Sequence, residues 1–258
     1  MNLLSFFDNT AQVYVIGVDD FIKPNCIDLG DYISILSDEE KERFHRYKNE
    51  KAQFTFLTAR YFLRKILDNH LSMESRNELP SRKVGEVSQN ARRPTGGWEC
   101  MRAPGWQASR KDVLSIETTT LGKPYLKDYP NLFFNLSHTD NLILIAIANS
   151  PIGVDVEKNE RNADKEAIIK HFFSEKEQQS FFSQPEEQRQ LAFVKGWTRK
   201  EAILKATGEG LSSMKNYEVS FEPETDTPII NSKSENNFII KDFTPQDGYA
   251  ACIALLQL

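Results

Sequence analysis

The sequence predicts a mixed α/β (α+β) fold, in which short strands and long helices share the chain without a regular alternation. Helices are indicated by the Ser-x-x-Glu patterns that begin at Ser37 and Ser174, because this pattern is typical of a helix N-terminus. Strands are indicated by the run of seven apolar residues from Leu142 to Ala148, which suits a buried strand. Since repeated strand–helix units are missing, we do not expect a doubly wound sheet or a (β/α)8 barrel.

The first part of the chain is predicted to form one strand followed by helices. Residues 12–18 are rich in aromatic and β-branched side chains and indicate the opening strand. Ser37, with Glu40 three residues later, predicts a helix start. A longer helix is predicted over residues 50–68, where apolar and aromatic side chains recur at helical spacing.

The segment of about residues 76–111 does not follow this pattern. Seven of the 37 residues 76–112 are Gly or Pro, and the segment holds two of the three tryptophans, Trp98 and Trp106. Long irregular segments of compact domains are surface insertions or functional lids. We expect a flexible insertion that can be removed, while the tryptophans leave a partner-binding role open.

The second part of the chain is predicted to hold groups of strands on either side of two helices. Ser174 and Glu177 begin a helix that ends near Pro185, and the next helix covers about residues 186–207 and stops at Gly208. The predicted strands cover residues 113–118, 132–136, 142–148, 152–156, 216–221, 238–241 and 249–256. The chain is therefore expected to form two comparable units.

Composition narrows the class of protein. Of the 258 residues, 40% are apolar and 27% are charged, which is ordinary for a soluble globular chain. No apolar run approaches the roughly 20 residues needed to cross a bilayer, and the N-terminus lacks the features of a signal peptide. Cys26, Cys100 and Cys252 show no CxxC pairing, which favours reduced thiols and a cytoplasmic location. The net charge of −5 argues against a nucleic-acid binder, and we expect a monomer.

Two acidic residues follow the long apolar strand. Asp155 and Glu157 stand at alternate positions of Gly153-Val154-Asp155-Val156-Glu157, so a strand would place both carboxylates on one face. Carboxylate oxygens at that separation suit Mg²⁺. A solvated pair at a strand end is the commoner explanation of such a pattern alone.

A second charged element lies on the predicted helix over residues 186–207. Trp197, Glu201 and Lys205 are four residues apart and therefore share one side of the helix. Glu201 and Lys205 would by themselves suit an exposed ion pair, and Trp197 would suit the core. Combined with the acidic strand, the same residues would hold a divalent cation against a diphosphate.

Further polar residues occur at a turn and at a strand end. Asn135-Leu136-Ser137-His138-Thr139 ends a predicted strand with side chains that suit a phosphate. Gly122-Lys123-Pro124 forms a turn with a rigid proline. Each segment alone is equally consistent with a polar surface turn.

In their order and spacing these segments resemble the Sfp-type 4′-phosphopantetheinyl transferases. The helices over residues 37–67 match the N-terminal part of that family more weakly. The matching blocks, between about residues 120 and 211, are Gly122-Lys123-Pro124, Asn135-Leu136-Ser137-His138-Thr139, Gly153-Val154-Asp155-Val156-Glu157, Phe172-Phe173-Ser174-Glu175-Lys176-Glu177 and Trp197-Thr198-Arg199-Lys200-Glu201-Ala202-Ile203-Leu204-Lys205.

The resemblance implies transfer of the 4′-phosphopantetheine arm of coenzyme A to a serine of an apo acyl or peptidyl carrier protein, with release of adenosine 3′,5′-bisphosphate. It implies that Asp155, Glu157 and Glu201 bind Mg²⁺ and that Lys205 stabilises the leaving phosphate. Glu201 is also the candidate general base, directly or through water, and metal ligation alone remains the alternative for it.

The resemblance further implies contacts with coenzyme A. Ser137 and His138 match positions that contact its phosphates, and Lys123 and Pro124 match a segment beside the adenine. The candidates for the 3′-phosphate are Arg43 and Arg60, although a nearby lysine of the family pattern is Glu40 here.

The family fold consists of two similar halves related by a pseudo-twofold axis, with coenzyme A between them. It implies an N-terminal half over residues 1–149 and a C-terminal half over residues 150–258 that carries the metal acids. Carrier recognition is expected at an apolar patch formed by Ile168, Ile169, Phe172 and Phe173, with Lys165 and Lys170 nearby.

Two other functions remain open at this point. A different magnesium-dependent enzyme acting on a phosphate ester would use the same carboxylates. A non-catalytic carrier-protein binding module of the same fold would need no metal acid, yet Asp155, Glu157 and Glu201 are all present.

Overall fold

A computed structural model describes residues 1–21, 29–74, 114–160, 164–222, 229–232 and 237–257. The chain divides into two compact units, one formed by residues 1–20 with 115–258 and the other by residues 21–114. The predicted insertion over residues 76–111 lies outside the described residues, as do Cys26 and Cys100. The predicted division into halves at residues 149 and 150 stays a prediction.

The described residues form helices and antiparallel strands, which confirms the mixed α+β class. The strands are β1 (Asn2–Phe6), β2 (Ala11–Gly17), β3 (Ile116–Thr118), β4 (Pro124–Leu126), β5 (Phe133–Thr139), β6 (Leu142–Ala148), β7 (Ile152–Lys158), β8 (Tyr217–Val219), β9 (Ile229–Ser232), β10 (Asn237–Phe243) and β11 (Tyr249–Gln257). The helices are α1 (Val18–Phe21), α2 (Leu29–Ser34), α3 (Asp38–Arg46), α4 (Glu50–Glu74), α5 (Lys165–Phe172), α6 (Glu175–Ser183) and α7 (Glu186–Thr207), with a 3₁₀ helix at Leu211–Asn216.

Two antiparallel sheets form the framework of the larger unit. One sheet has the strand order β1-β2-β6-β5, and the other has the order β10-β11-β7. Although β6 and β7 are joined by the predicted turn, they belong to different sheets, because β7 pairs with β11 near the end of the chain. The short strands β3 and β4 form a separate hairpin.

The strand β7 is buried on both faces, which explains its apolar character. Ile152, Val154 and Val156 pack in the core between the two sheets. The alternate residues Gly153 and Asp155 are also buried, and they belong to the opposite face of the strand. On β11, Cys252 likewise lies in the separate core cluster that includes α7. Each of these strands is therefore covered on one side by a sheet and on the other by a helix.

The helix α7 is the central helix of the larger unit. It begins after Pro185 and ends at Gly208, whose left-handed conformation has φ of 80°, as the sequence predicts. Its buried residues occur on all sides rather than on one stripe. Lys200 is completely buried and pairs with Glu177 of α6 at 2.8 Å, so α7 is held by ionic as well as apolar contacts.

The smaller unit is built around α3 and α4. Ser37 and Glu40 form the predicted capping box at the start of α3. The helix α4 extends beyond its predicted end at residue 68, to residue 74. Phe44 of α3 and Phe56 of α4 pack in one apolar cluster, which joins the two helices.

The predicted carrier-binding patch is wrong in part. Ile169 and Phe173 are completely buried in the core of the larger unit. Ile168 and Phe172 pack against that same core. The sequence prediction did not foresee α5, whose apolar face holds these residues inward.

Within the described residues, no helix is long and apolar enough to cross a membrane.

Candidate functional site

A cavity of about 350 Å³ in the larger unit gathers polar residues from β5, β7 and α7. Six of the candidate residues from the sequence line it together, although β5 and α7 are far apart along the chain. Its lining consists of Leu136, Ser137, His138, Asp155, Val156, Glu157, Trp197, Glu201 and Lys205. The roles assigned to these residues stay predictions, but their proximity follows from the fold.

Asp155, Lys205 and Ser137 form a hydrogen-bonded group in this cavity. The Lys205 ammonium donates to Oδ1 of Asp155 at 2.6 Å and to Oγ of Ser137 at 3.1 Å. The Ser137 hydroxyl donates to the same carboxylate oxygen at 2.9 Å. The other carboxylate oxygen of Asp155 is buried and has no hydrogen-bond partner among the described residues. One oxygen of this carboxylate is therefore satisfied, and the other is a buried acceptor without a partner in the described part of the chain.

The junction between the two sheets positions this group. Because β5 and β7 are edge strands of different sheets, side chains replace the missing backbone ladder between them. The Asn135 side-chain oxygen accepts a hydrogen bond from the Val154 amide at 3.0 Å, and both Asn135 and Ser137 are buried. Polar residues of β5 thus connect the two sheets, as Asn135 does, and line the cavity, as Ser137 does.

A close approach of α7 to β7 requires a glycine at position 153. A Cβ atom added to Gly153 would overlap the Ala202 carbonyl oxygen and the Ala206 amide nitrogen of α7. Since both contacts are with backbone, no side-chain rotation would relieve them. Gly153 therefore allows α7 to lie where Lys205 reaches Asp155.

Trp197 belongs both to the core and to the cavity, the two places that the sequence left open for it. Its side chain is 8% exposed and packs with Phe193 and Phe172, yet the same residue lines the cavity. Glu201, one turn further along α7, also lines the cavity. The packed indole therefore holds the face of the helix that presents Glu201.

The carboxylates of the cavity offer the donor chemistry of a magnesium site. Asp155, Glu157 and Glu201 all line the cavity, and Mg²⁺ prefers oxygen ligands while keeping several waters. Among the described residues, no three His, Cys, Asp or Glu side chains converge into a preformed metal cluster. The three carboxylates of the lining and the buried, unpartnered oxygen of Asp155 nevertheless fit the oxygen-donor chemistry of Mg²⁺.

Arg43 and Arg60 belong to the smaller unit and stack against one ring. Their guanidinium carbons lie 5.5 Å and 5.2 Å from the centroid of Phe56. Glu40 lies 3.1 Å from Nε of Arg60 and 2.6 Å from the guanidinium of Arg64. Burial lowers the pKa of Arg60, with Glu40 opposing the shift and the other two arginines adding to it. Two guanidinium groups, those of Arg60 and Arg64, therefore share the Glu40 carboxylate, while that of Arg43 lies over the Phe56 ring.

Lys123 and Pro124 do not line the cavity. The Lys123 ammonium donates to the carbonyl oxygen of Ala206 in the last turn of α7, and burial lowers its pKa to about 8. Pro124 is the first residue of β4. The Lys123 ammonium is thus hydrogen-bonded to the protein backbone.

The sequence analysis missed several residues of these sites. Leu136 and Val156 line the cavity, but no chemical property distinguishes them from core residues. Arg64 pairs with Glu40, and its signal in the sequence was its helical spacing with Phe54, Leu57 and Tyr61. Such partners become visible only when the helices are packed.

Comparison with known proteins gives a consistent result. A family profile described as the 4′-phosphopantetheinyl transferase superfamily matches residues 151–254. The chain is 28% identical to the 4′-phosphopantetheinyl transferase HetI of Nostoc sp. over 231 residues, which cover 88% of this chain and 81% of the relative. It is 29% identical to the 4′-phosphopantetheinyl transferase Sfp of Bacillus subtilis over 58% of this chain and 66% of that protein. It is also 40% identical to the 4′-phosphopantetheinyl transferase psf-1 of Bacillus pumilus, over 39% of this chain and 42% of the relative.

Proposed function

We infer the reaction of this chain from its membership of a family, since it belongs to the 4′-phosphopantetheinyl transferase superfamily as an Sfp-type member. The chain is an enzyme that transfers the 4′-phosphopantetheine group of coenzyme A to a serine of an apo acyl or peptidyl carrier protein. The observation that most supports this reaction is the cavity that gathers Ser137, Asp155, Glu201 and Lys205 from three separate elements.

Bond changes in this reaction occur at the phosphorus atom that bears the pantetheine arm. The carrier serine oxygen forms a bond to that phosphorus, and the phosphoanhydride bond to adenosine 3′,5′-bisphosphate breaks. The serine loses its proton, and the leaving phosphate gains negative charge. The site must therefore provide a base, a cation for the leaving group and contacts that hold the diphosphate in line.

Lys205 and Glu201 are the proposed catalytic residues. The Lys205 ammonium is already oriented by Asp155 and Ser137, so it is held to stabilise the charge that develops on the leaving phosphate. Glu201 lines the same cavity from the same helix. We assign it the role of general base, which removes the proton of the carrier serine. Both residues depend on the position of α7.

Asp155, Glu157 and Glu201 would hold Mg²⁺. When bound, Mg²⁺ neutralises charge on the diphosphate and orients it. The oxygen of Asp155 that does not meet Lys205 is the one left without a partner in the described structure, so the same carboxylate would serve both the metal and the lysine.

The remaining contacts with coenzyme A are proposed from the motifs. Ser137 and His138 line the cavity and are assigned to the phosphates of coenzyme A. Lys123 and Pro124 are assigned a place beside its adenine. Arg43 and Arg60 are assigned to the 3′-phosphate. Their assignment is supported by the two guanidinium groups that gather at Phe56, of which Arg60 shares the Glu40 carboxylate with Arg64.

Other functions of the same site are less favoured. A hydrolase acting on a phosphate ester would account for the carboxylates, and a non-catalytic carrier-binding module would account for the fold. Neither requires an ammonium held between Ser137 and Asp155, as Lys205 is.

We also propose that the chain is a cytoplasmic monomer. Sedimentation of the purified chain would test the oligomeric state.

Intact mass spectrometry of carrier proteins tests the reaction. The purified chain is incubated with coenzyme A, Mg²⁺ and a panel of apo carriers from fatty acid, polyketide and peptide synthesis. We expect a gain of one phosphopantetheine on at least one carrier, abolished by EDTA and restored by added Mg²⁺. Free phosphate with unmodified carriers would indicate the hydrolase, and coenzyme A binding without any mass gain would indicate the binding module.

A further inference from the structure

Lys123 contacts the last turn of α7 through both ends of its side chain. Its ammonium donates to the Ala206 carbonyl oxygen. Its methylene chain packs beside Gly208, because a Cβ atom added to Gly208 would lie 3.1 Å from Cδ of Lys123. The side chain therefore spans the C-terminal end of the helix instead of extending into solvent.

The end of α7 needs such a contact. A helix leaves its last carbonyl groups without partners inside the helix. At this end, the Gly208 and Glu209 amides both donate to the Leu204 carbonyl, at 2.8 Å and 3.1 Å, so they do not serve Ala206. The Lys123 ammonium satisfies that carbonyl, and a cation is favourable at the negative end of the helix dipole.

The same turn carries the ammonium of the proposed site. Lys205 directly precedes Ala206, and its Nζ lies 2.6 Å from Oδ1 of Asp155. On its β7 side the turn is confined by Gly153, where the backbones meet without room for a Cβ atom. Lys123 confines it from the hairpin formed by β3 and β4. The turn is thus held by a close backbone contact and by one charged tether.

We propose that Lys123 is a positioning residue, which tethers the last turn of α7 and so orients Lys205, rather than a residue that binds coenzyme A with its own ammonium. The proposal rests on the proposed function for its catalytic consequence. It replaces the coenzyme A contact assigned to Lys123 from the motif. Its structural part, the tether itself, holds whatever reaction the chain performs.

Steady-state kinetics separate the two roles of Lys123. In Lys123→Met the helix end loses its cation, and we expect kcat to fall about tenfold with KM for coenzyme A changed less than about twofold. Lys123→Arg keeps a charged donor and should recover most of kcat. Lys127→Met is the matched control, because Lys127 directly follows β4 of the same hairpin and its ammonium pairs with Glu117 at 3.0 Å, away from α7; its kinetics should equal those of the wild type.

A double-mutant cycle tests whether Lys123 acts through Lys205. In the Lys205→Met background, the further change Lys123→Met should have little effect, since the ammonium to be oriented is gone. Independent, multiplicative losses would overturn the proposal. A raised KM for coenzyme A with unchanged kcat in Lys123→Met would also overturn it, because that result describes a direct contact.

Hydrogen exchange tests the tether without any reaction. In Lys123→Met the amides of Gly208 and Glu209 should exchange at least about tenfold faster, while amides in the middle of α7 keep their rates. Unchanged exchange at both amides would overturn the proposal even if the enzyme were active. If the wild type modified no carrier but exchange increased in the variant, the transferase assignment would fail and the tether would stand.

Discussion

Asp155 and Lys205 form an ion pair across the cavity, with 2.6 Å between Oδ1 and Nζ. The carboxylate is 6% exposed and the lysine side chain 27% exposed. Asp155 is thus almost removed from water, whereas Lys205 keeps one side accessible. One oxygen of this carboxylate thus orients a cation, while the other is a buried acceptor that has no partner in the described structure.

Loss of the Asp155 charge should abolish transfer without preventing folding. Asp155→Asn keeps the shape but removes the negative charge that pairs with Lys205 and that the proposed metal site requires, so transfer to a carrier should fall by at least about 100-fold. The measurement is the initial rate of carrier modification at saturating Mg²⁺. Asp128→Asn changes an exposed carboxylate outside the cavity and should keep the wild-type rate; a wild-type rate in Asp155→Asn would refute its role.

A methyl group at position 153 should destabilise the larger unit. In Gly153→Ala the new Cβ atom meets backbone atoms of α7, so the helix must move away from β7, at a cost of about 2–4 kcal/mol in the free energy of unfolding. Urea unfolding followed by circular dichroism measures this loss. Gly210→Ala is the control, because a Cβ atom there comes no closer than 4.0 Å to a neighbour, the Ser212 hydroxyl. Equal stabilities of the two variants would contradict the close approach.

Burial of Lys123 predicts a specific dependence of stability on pH. Its pKa is lowered from 10.5 to about 8 by desolvation. Between these values the unfolded chain binds a proton that the folded chain lacks, so this group makes the folded state more stable as pH rises, with a linkage of up to about one proton. Below about pH 8 the cost of burying the ammonium is fully present.

The dependence is isolated by comparing the wild type with Lys123→Met. The free energy of unfolding is measured in urea from about pH 7.5 to about pH 10, where the difference between the two proteins should shift in favour of the wild type. A difference that stays constant over this range would mean that Lys123 keeps an ordinary pKa.

The buried pair of Lys200 and Glu177 should be strongly coupled. Lys200 also donates to the Met214 carbonyl, and Glu177 accepts from the Val219 amide, so the pair joins α6 and α7 to the 3₁₀ helix and to the last residue of β8. Lys200→Met leaves a buried carboxylate without its cation and should cost about 3–5 kcal/mol. Adding Glu177→Gln removes that charge and should recover part of the loss. Unfolding free energies of the two single variants and the double variant measure the coupling; simple additivity would argue against it.

The elements that the sequence predicted well are those with local signals. The capping boxes at Ser37 and Ser174 and the stop at Gly208 depend on hydrogen bonds within a few residues, so they can be recognised without knowing the fold. The strands β1 and β4 were missed, because each is short and depends on its partner strand for stability. The helix α5 was missed because its apolar residues were interpreted as an exposed patch.

The motifs similarly predicted which residues belong to the site, but not how each is used. Ser137, Asp155, Glu201 and Lys205 were identified from residue type and spacing, and they line one cavity. The ion pair of Lys205 with Asp155 and the hydrogen bond from Lys123 to Ala206 join residues 50 and 83 positions apart. No local pattern specifies such contacts.

Local chemistry along the chain was enough to establish the mixed fold class, the start of α3, the approximate ends of α6 and α7, and the candidate residues. Long-range packing established the rest: the placement of β7 beside β11 instead of β6, the inward face of α5, and the partner of each charged group. The physical reason is distance along the chain. Helix caps and periodic patterns act over a few residues, whereas strand pairing and burial of charge depend on segments that meet only after the chain has folded.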